Sequence, residues 1–340
     1  MKRSFAIAVL VALRFPGVGL AQTEPTVGGV PVSKYLAVPA SVGAARLPVD
    51  PALGYGVSEV ADQFYIVTDG IWQSGFLVTQ NGVVLLDAPG SFGATLPDIV
   101  RSITDRPITH LIYSHAHKDH IGAAGALTAV LPNLTIIAHE RVGAYLLDMA
   151  DPNRPVPNET FRGSRTLKVG GALIELDEVG PYHSVEADMF ITLPRQGVLY
   201  AIDSYTPGWV TFQGLDLTMN IHNYLALGDE VMSRDWEIFV GGHLTQLGTR
   251  DQIQASIDYT DDALAVATDV IRSTDMMATM GQAAEAGGWS NPFLLFRYYL
   301  DSMAEACAAR LVQRWGGVLA GVDVWAASHC DRLLAYLRVD

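Results

Sequence analysis

Apolar and polar positions change rhythm along the chain. From about residue 58 they come in short runs such as Gln63-Phe64-Tyr65-Ile66-Val67 and Gly75-Phe76-Leu77-Val78-Thr79, which read as strands. Gln80-Asn81-Gly82 is a hairpin-turn signal. It leads into the apolar run Val83-Val84-Leu85-Leu86, a strand that ends at Asp87 before Pro89-Gly90. Leu96 to Ile103 predicts a helix, His110-Leu111-Ile112-Tyr113 a buried strand, and Ile121 to Leu131 a helix. Thr135-Ile136-Ile137-Ala138 follows as a strand and residues 140–150 as a helix. Leu173 to Leu176, Met189 to Leu193 and Val198 to Ile202 predict a second set of strands.

After His243 the strand signal fades. Asp251 to Ile271, Met276 to Ala286, Pro292 to Val312 and Val322 to Leu337 read as helices, punctuated by Gly287-Gly288 and Gly316-Gly317. Residues 22–57 are rich in Pro, Gly, Ala and Val without a period and read as an extended N-terminal arm. The expected organisation is an arm, a mixed domain over 58–250 and a helical region over 251–340. Periodicity alone supports an α/β or α+β class.

Composition narrows the picture. Of the 340 residues, 49% are hydrophobic and 17% charged, which marks a globular chain and not a disordered one. The formal net charge of −14 argues against a nucleic-acid partner, which would favour a basic face. Lys2 and Arg3, the apolar stretch Phe5 to Leu13, and Gly19-Leu20-Ala21 before Gln22 read as an export signal over residues 1–21. Its apolar part is too short to span a bilayer, so the expectation is a periplasmic or secreted protein. Losing Lys2, Arg3 and Arg14 with the signal takes the formal charge from −14 to −17. Export would permit a disulfide between the two cysteines, Cys307 and Cys330; sequence leaves open whether they meet.

The chemistry concentrates in Ser114-His115-Ala116-His117-Lys118-Asp119-His120. Four metal-binding side chains fall on a turn between a predicted strand and a predicted helix. His115 and His117 can point the same way from an extended turn, while Asp119 and His120 come round as the helix begins and face a second point. One loop could thus serve two neighbouring ions. Imidazole and carboxylate together suit zinc or a similar borderline ion.

This run resembles the His-x-His-x-Asp-His signature of the metallo-β-lactamase superfamily. The resemblance implies a four-layer αββα sandwich of the α+β class and further single ligands at downstream strand ends. His183 in Pro181-Tyr182-His183-Ser184, Asp203 after Val198 to Ile202, and His243 after Phe239-Val240-Gly241-Gly242 meet that expectation. By the resemblance, His115, His117 and His183 would hold one metal, Asp119, His120 and His243 the second, and Asp203 would bridge both. Asp87 would lie beneath the metal loop; a turn or N-cap role is the plain alternative. The turn after His183 departs from the family's Gly-His-Thr-Pro-Gly pattern, with Val185 and Glu186 where small residues are usual. The bridging position carries Asp, as in glyoxalase II-like thioesterases and lactonases, and not the Cys of the main zinc β-lactamases.

These residues lead to the expectation of an exported hydrolase with two divalent ions, Zn²⁺ first among zinc, manganese, iron and cobalt. It would use an activated water on the carbonyl of a small-molecule ester or lactone. The alternatives are a β-lactamase, a non-hydrolytic iron enzyme and a metal-binding protein on the same fold. Asp119 could also handle a proton. The aromatic segment from Tyr205 to Tyr224 should pass over the metals, and its Tyr205 or His222 could donate to a developing oxyanion. His110 and His139 read as structural and His329 as incidental. The C-terminal helices could serve stability, shape the pocket or form a homodimer surface.

Overall fold

A computed structural model describes residues 24–339; the expected export signal lies outside them. The chain divides into residues 1–35 and 36–340. Of the first part, β1 (Thr26–Val27) and β2 (Val30–Pro31) form a small hairpin, followed by a 3₁₀ turn, Val32–Lys34. The second part begins with a short helix, α1 (Ala40–Ala44). The expected extended arm is therefore broken by local structure, and Leu47 N–H already donates to the Thr245 carbonyl at 2.7 Å.

The first sheet has seven strands in chain order: β3 (Gly56–Ala61), β4 (Phe64–Thr68), β5 (Gln73–Thr79), β6 (Gly82–Leu86), β7 (Ile108–Ile112), β8 (Thr135–His139) and β9 (Glu159–Phe161). Pairing is antiparallel to β6 and parallel from there on. The parallel crossovers carry α2 (Leu96–Ile103), α3 (Lys118–Ile121), α4 (Ala124–Val130) and α5 (Glu140–Met149). The helix expected over Ile121 to Leu131 is thus two pieces, parted at Gly122-Ala123.

The second sheet has five strands, β10 (Ser164–Val169), β11 (Ala172–Glu178), β12 (Met189–Leu193), β13 (Val198–Tyr200) and β14 (Ile238–Val240). All its pairs are antiparallel except β13 with β14.

The two-residue period of a strand decides the layers. On β6, Val84 and Leu86 face the second sheet, where Ile174, Leu176, Ile191 and Tyr200 meet them. Val83 and Leu85 face the other way, against Leu96, Ile99 and Val100 of α2 and Leu127 of α4. Both faces of the strand are buried, which is why its sequence is a continuous apolar run.

On the outer side of the second sheet, Phe190, Leu199 and Phe239 pack in one cluster with Tyr224, Leu227 and Val231. These last three belong to α7 (Ile221–Ser233), which follows a short turn labelled α6 (Gln213–Leu217). The same cluster continues through α8 (Arg250–Ser273), α9 (Met276–Gly287), α10 (Pro292–Trp315) and α11 (Val322–Val339). Helix, sheet, sheet and helix make the αββα sandwich. The C-terminal helices thicken one outer layer and share its core. Cys307 of α10 and Cys330 of α11 are joined by a disulfide inside that core.

Candidate metal centre

The ligand candidates gather at one end of the sandwich, where β7, β13 and β14 deliver their C-terminal loops. His115 and His117 lie on the loop after β7. Its successor α3 carries Asp119 and His120. His183 comes from the loop between β11 and β12. The parallel pair β13–β14 sets Asp203 and His243 side by side, with Asp203 N–H donating to the Gly241 carbonyl at 3.1 Å. Gly242 lies between them with φ +89, and a Cβ there would stand 3.0 Å from His120 Cε1 and 2.8 Å from Ile202 Cγ2. Only glycine lets this turn close over the site.

Around Asp203 the atoms crowd. Its Oδ2 lies 3.1 Å from Nε2 of His120, 3.1 Å from Nε2 of His183 and 3.3 Å from Nε2 of His115. Its Oδ1 lies 2.9 Å from Nε2 of His243. Nδ1 of His117 is 2.8 Å from Nε2 of His183. Asp119 Oδ2 stands 3.5 Å from His120 Nε2 and 3.7 Å from His243 Nε2. The donor atoms fall into two groups: His115, His117, His183 and Asp203; and Asp119, His120 and His243. Nε2 of His115 and Oδ1 of Asp203 are buried with no hydrogen-bond partner. Orphaned buried lone pairs are costly, and a cation in the first group would satisfy them. The set fits two divalent ions held by nitrogen and oxygen.

The Asp203 carboxylate dominates the electrostatics of these side chains. Burial works against a charged His183, but the adjacent Asp203 carboxylate more than reverses that and lifts its pKa to about 10. His243, also buried and also beside Asp203, rises to about 9. His115 goes well below the usual imidazole range because of burial and the His117 beside it. His117 falls to about 4 through burial and the neighbouring His183. Asp203 itself is held far down: burial would raise it, but His120, His183 and His243 outweigh that.

A surrounding set of residues fixes these side chains. Asp87, fully buried with φ +60, accepts from Ser114 N–H at 2.8 Å and from the Tyr200 hydroxyl at 3.1 Å. Burial pushes its pKa up to about 6. It lies beneath the metal loop and grips that loop's backbone. The Ser114 hydroxyl in turn lies 3.0 Å from Nδ1 of His115. Arg154 Nη1 donates to the Ala116 carbonyl between the two histidines at 2.7 Å. Asp188 accepts from the backbone N–H groups of Tyr182, His183 and Ser184, the first two at 2.8 Å. Nδ1–H of His183 donates to the Asp216 carbonyl at 2.5 Å, which leaves its Nε2 lone pair for a metal. Ser114, Arg154, Asp188 and Asp216 were not singled out from the sequence.

His117, Asp119, His183 and His243 open onto a cavity of about 520 Å³. Its walls are mostly apolar, with Trp72, Trp209, Val210, Phe212, Val324 and Trp325 among them, and among the described residues no lysine or arginine lines it. Val324 and Trp325 come from α11, so the C-terminal region shapes the pocket.

Two expectations fail. His222 does not reach the metals. Asn220 caps α7 by accepting from Asn223 N–H, and the helix turns His222 outward, into a separate hollow beside Arg332 and Tyr336. Tyr205 is buried in the core beside Tyr224, with ring centroids 6.0 Å apart, and does not line the pocket. Nor is His329 incidental. It is wholly buried, with Nδ1 2.8 Å from the Tyr259 hydroxyl and Nε2 within 3.0 Å of the Thr211 and Phe212 carbonyls. His139 caps α5 and faces Glu178 at 3.1 Å, while His110 Nδ1 lies 2.8 Å from the Thr109 hydroxyl; both are structural.

Comparison with known proteins agrees with this geometry. Residues 68–207 match the family model of the metallo-beta-lactamase superfamily. The structure resembles a metallo-beta-lactamase from Pontibacter korlensis, with TM-score 0.52 and 16% identity over 60% of this chain and 97% of that one. It resembles the metallo-beta-lactamase IND-7 likewise, with TM-score 0.52 and 15% identity over 60% of this chain and 96% of that one. At such identities the likeness is one of fold.

Among curated proteins, 2,4-dinitroanisole O-demethylase subunit alpha of Nocardioides sp. (strain JS1661) is 23% identical over 218 residues, which are 63% of this chain and 65% of that protein. The uncharacterized protein YobT of Bacillus subtilis (strain 168) is 26% identical over 146 residues, 37% of this chain and 58% of that one. The chain thus spans less than two thirds of the length of each.

Proposed function

We propose that the chain is an exported hydrolase of a neutral ester or lactone, working with two divalent ions, Zn²⁺ first. The observation that carries this reading is the seven-residue nitrogen and oxygen cluster around Asp203, opening onto a largely apolar pocket that, among the described residues, no lysine or arginine lines. When bound, such ions supply an activated water and a Lewis acid for the carbonyl oxygen.

The residues of the chain do the rest. Asp203 and the histidines fix the ion positions. Trp72, Trp209 and Phe212 exclude water and hold the organic part of the substrate against the centre. Asp119, part-exposed at the pocket mouth, is placed to carry a proton between the leaving group and solvent. Among the described residues the lining has aspartates and no lysine or arginine, so beyond the ions themselves it offers an anionic group no fixed side-chain partner. That weighs against the β-lactam alternative, since β-lactam antibiotics carry a carboxylate. Export is supported by the basic and apolar pattern of residues 1–21 and by the core disulfide.

A second reading draws on the O-demethylase likeness and the aromatic walls. The same site could cleave a methyl ether on an electron-poor ring, with water entering and a phenol and methanol leaving. Acid release in a pH-stat, with zinc-loaded protein and a chelated control, separates the readings. The panel is neutral aryl esters, lactones, β-lactams and nitroaryl methyl ethers. Chelator-sensitive release from esters or lactones supports the proposal. Release from the ethers alone transfers it to the second reading, and release from β-lactams alone contradicts it.

A further inference from the structure

Gly214, Leu215, Asp216 and Leu217 all have φ between +52 and +62, a turn of left-handed helix. Left-handed backbone is disfavoured for residues with a Cβ, and three in succession persist only where their surroundings hold them. Here α11 does so. The Ser328 hydroxyl lies 3.1 Å from Gly214 N–H, His329 Nε2 donates to the Thr211 and Phe212 carbonyls, and Arg332 Nη2 donates to the Thr218 carbonyl at 2.8 Å. Three groups on one helix thus bracket the turn on both sides, while Leu215 anchors it in the core.

The strained residue of interest is Asp216. Its carbonyl orients His183. The residue is 4% exposed and lines the metal pocket, and among the described residues no hydrogen bond or ion pair engages its carboxylate. A buried acceptor left without a protein donor, aimed into a cavity, calls for a donor from what enters that cavity. Phe212 and Trp325, with ring centroids 4.8 Å apart, form an aromatic wall of the same cavity.

We propose that Asp216 is a specificity-determining residue: it accepts a hydrogen bond from a hydroxyl or amide N–H near the scissile carbonyl of a neutral substrate whose apolar part lies on the Phe212–Trp325 wall. This rests on the reading of the pocket as the substrate site.

Methyl mandelate and its O-methyl ether, methyl α-methoxyphenylacetate, differ only in that donor and test the proposal in two ways. Binding to chelated protein is followed through the fluorescence of the pocket tryptophans, and turnover is followed with zinc-loaded protein. The wild type should bind the hydroxy ester roughly tenfold tighter or more. D216G, which removes the acceptor and suits the left-handed turn, should bring the two within about twofold. W325A should weaken both esters and leave their ratio unchanged, which separates a general loss of the pocket from loss of the acceptor. Equal binding of the two esters by the wild type, or a preference that survives D216G, overturns the proposal. A preference lost in D216G supports it even if neither ester turns over; that absence of turnover would count against the hydrolase reading alone.

Discussion

Nε2 of His183 lies 2.8 Å from Nδ1 of His117, and Nδ1 of His183 is spent on the Asp216 carbonyl. The inward nitrogen of His183 therefore meets another imidazole nitrogen across a gap that a proton or a metal ion must fill. Asp203 beside them supplies the negative charge that either cation needs. Removing it should disable both ion sites at once. We expect Asp203→Asn to retain less than about one bound ion per chain and to lose roughly a thousandfold or more in turnover, with metal content and rate measured on the same preparation.

Ser114 acts at one remove. Its hydroxyl aims His115 through Nδ1, and such supporting groups typically contribute about 10–100-fold to metal affinity. Ser114→Ala should weaken metal binding by that order while leaving the rate at saturating metal within a few-fold. Competition against a chromophoric chelator reads the affinity.

The pH response of the metal-free chain has a definite sign. His183 at about 10 and His243 at about 9 lie above the unfolded imidazole value of 6.5. The stability they add is present in full below pH 6.5 and is lost as pH rises towards 9–10. Bound metal must displace those same protons, so metal affinity should grow with pH over this range. The rise in Tm on adding zinc should therefore be larger at pH 8.5 than at pH 6.5. Calorimetry in buffers of different ionisation enthalpy should show protons released on binding.

His329 behaves in the opposite sense. Burial lowers its pKa to about 4, and the two carbonyls at Nε2 fix a neutral tautomer that accepts from Tyr259. Its contribution to stability is complete above pH 6.5 and declines as pH falls towards 4. The full shift corresponds to about 3 kcal/mol. Urea unfolding of wild type and His329→Gln at pH 7 and pH 4 should show the variant losing less stability between them, by about that amount.

The disulfide closes a loop with a sequence separation of 23 between α10 and α11. Chain entropy gives about 3 kcal/mol for such a loop. A C307A/C330A double variant should unfold at correspondingly lower urea. Because α11 grips the turn that carries Asp216, the variant should also bind pocket ligands more weakly.

Much of the fold was legible from local pattern. The strand Met189–Leu193 and the four C-terminal helices stand out because their apolar periods are long or uninterrupted. The candidate ligand cluster was legible because four of its seven members fall within six residues, Asp203 and His243 each end an apolar run, and His183 lies between two strand-like stretches.

What escaped was brought in by tertiary structure. Asp188 reads as an ordinary turn residue until its carboxylate collects three N–H groups. Asp216 and Trp325 are distant in sequence and line one pocket only because α11 packs against the turn after Phe212. Strand β10, Ser164–Val169, alternates exposed and buried positions, yet its polar residues hide the signal. His222 misled because the segment from Tyr205 to Tyr224 was read as one crossing loop. The Asn220 cap starts a helix there and turns that side chain away.

The central claim is that two ions, held around Asp203, carry the hydrolysis. Its most direct test is to strip the protein of metal and titrate zinc back while following turnover of the best neutral ester or lactone. We expect negligible turnover without metal and a rise that is complete at two ions per chain. Full turnover by the metal-free chain, or saturation at two ions with no hydrolysis of any neutral ester or lactone, would contradict it.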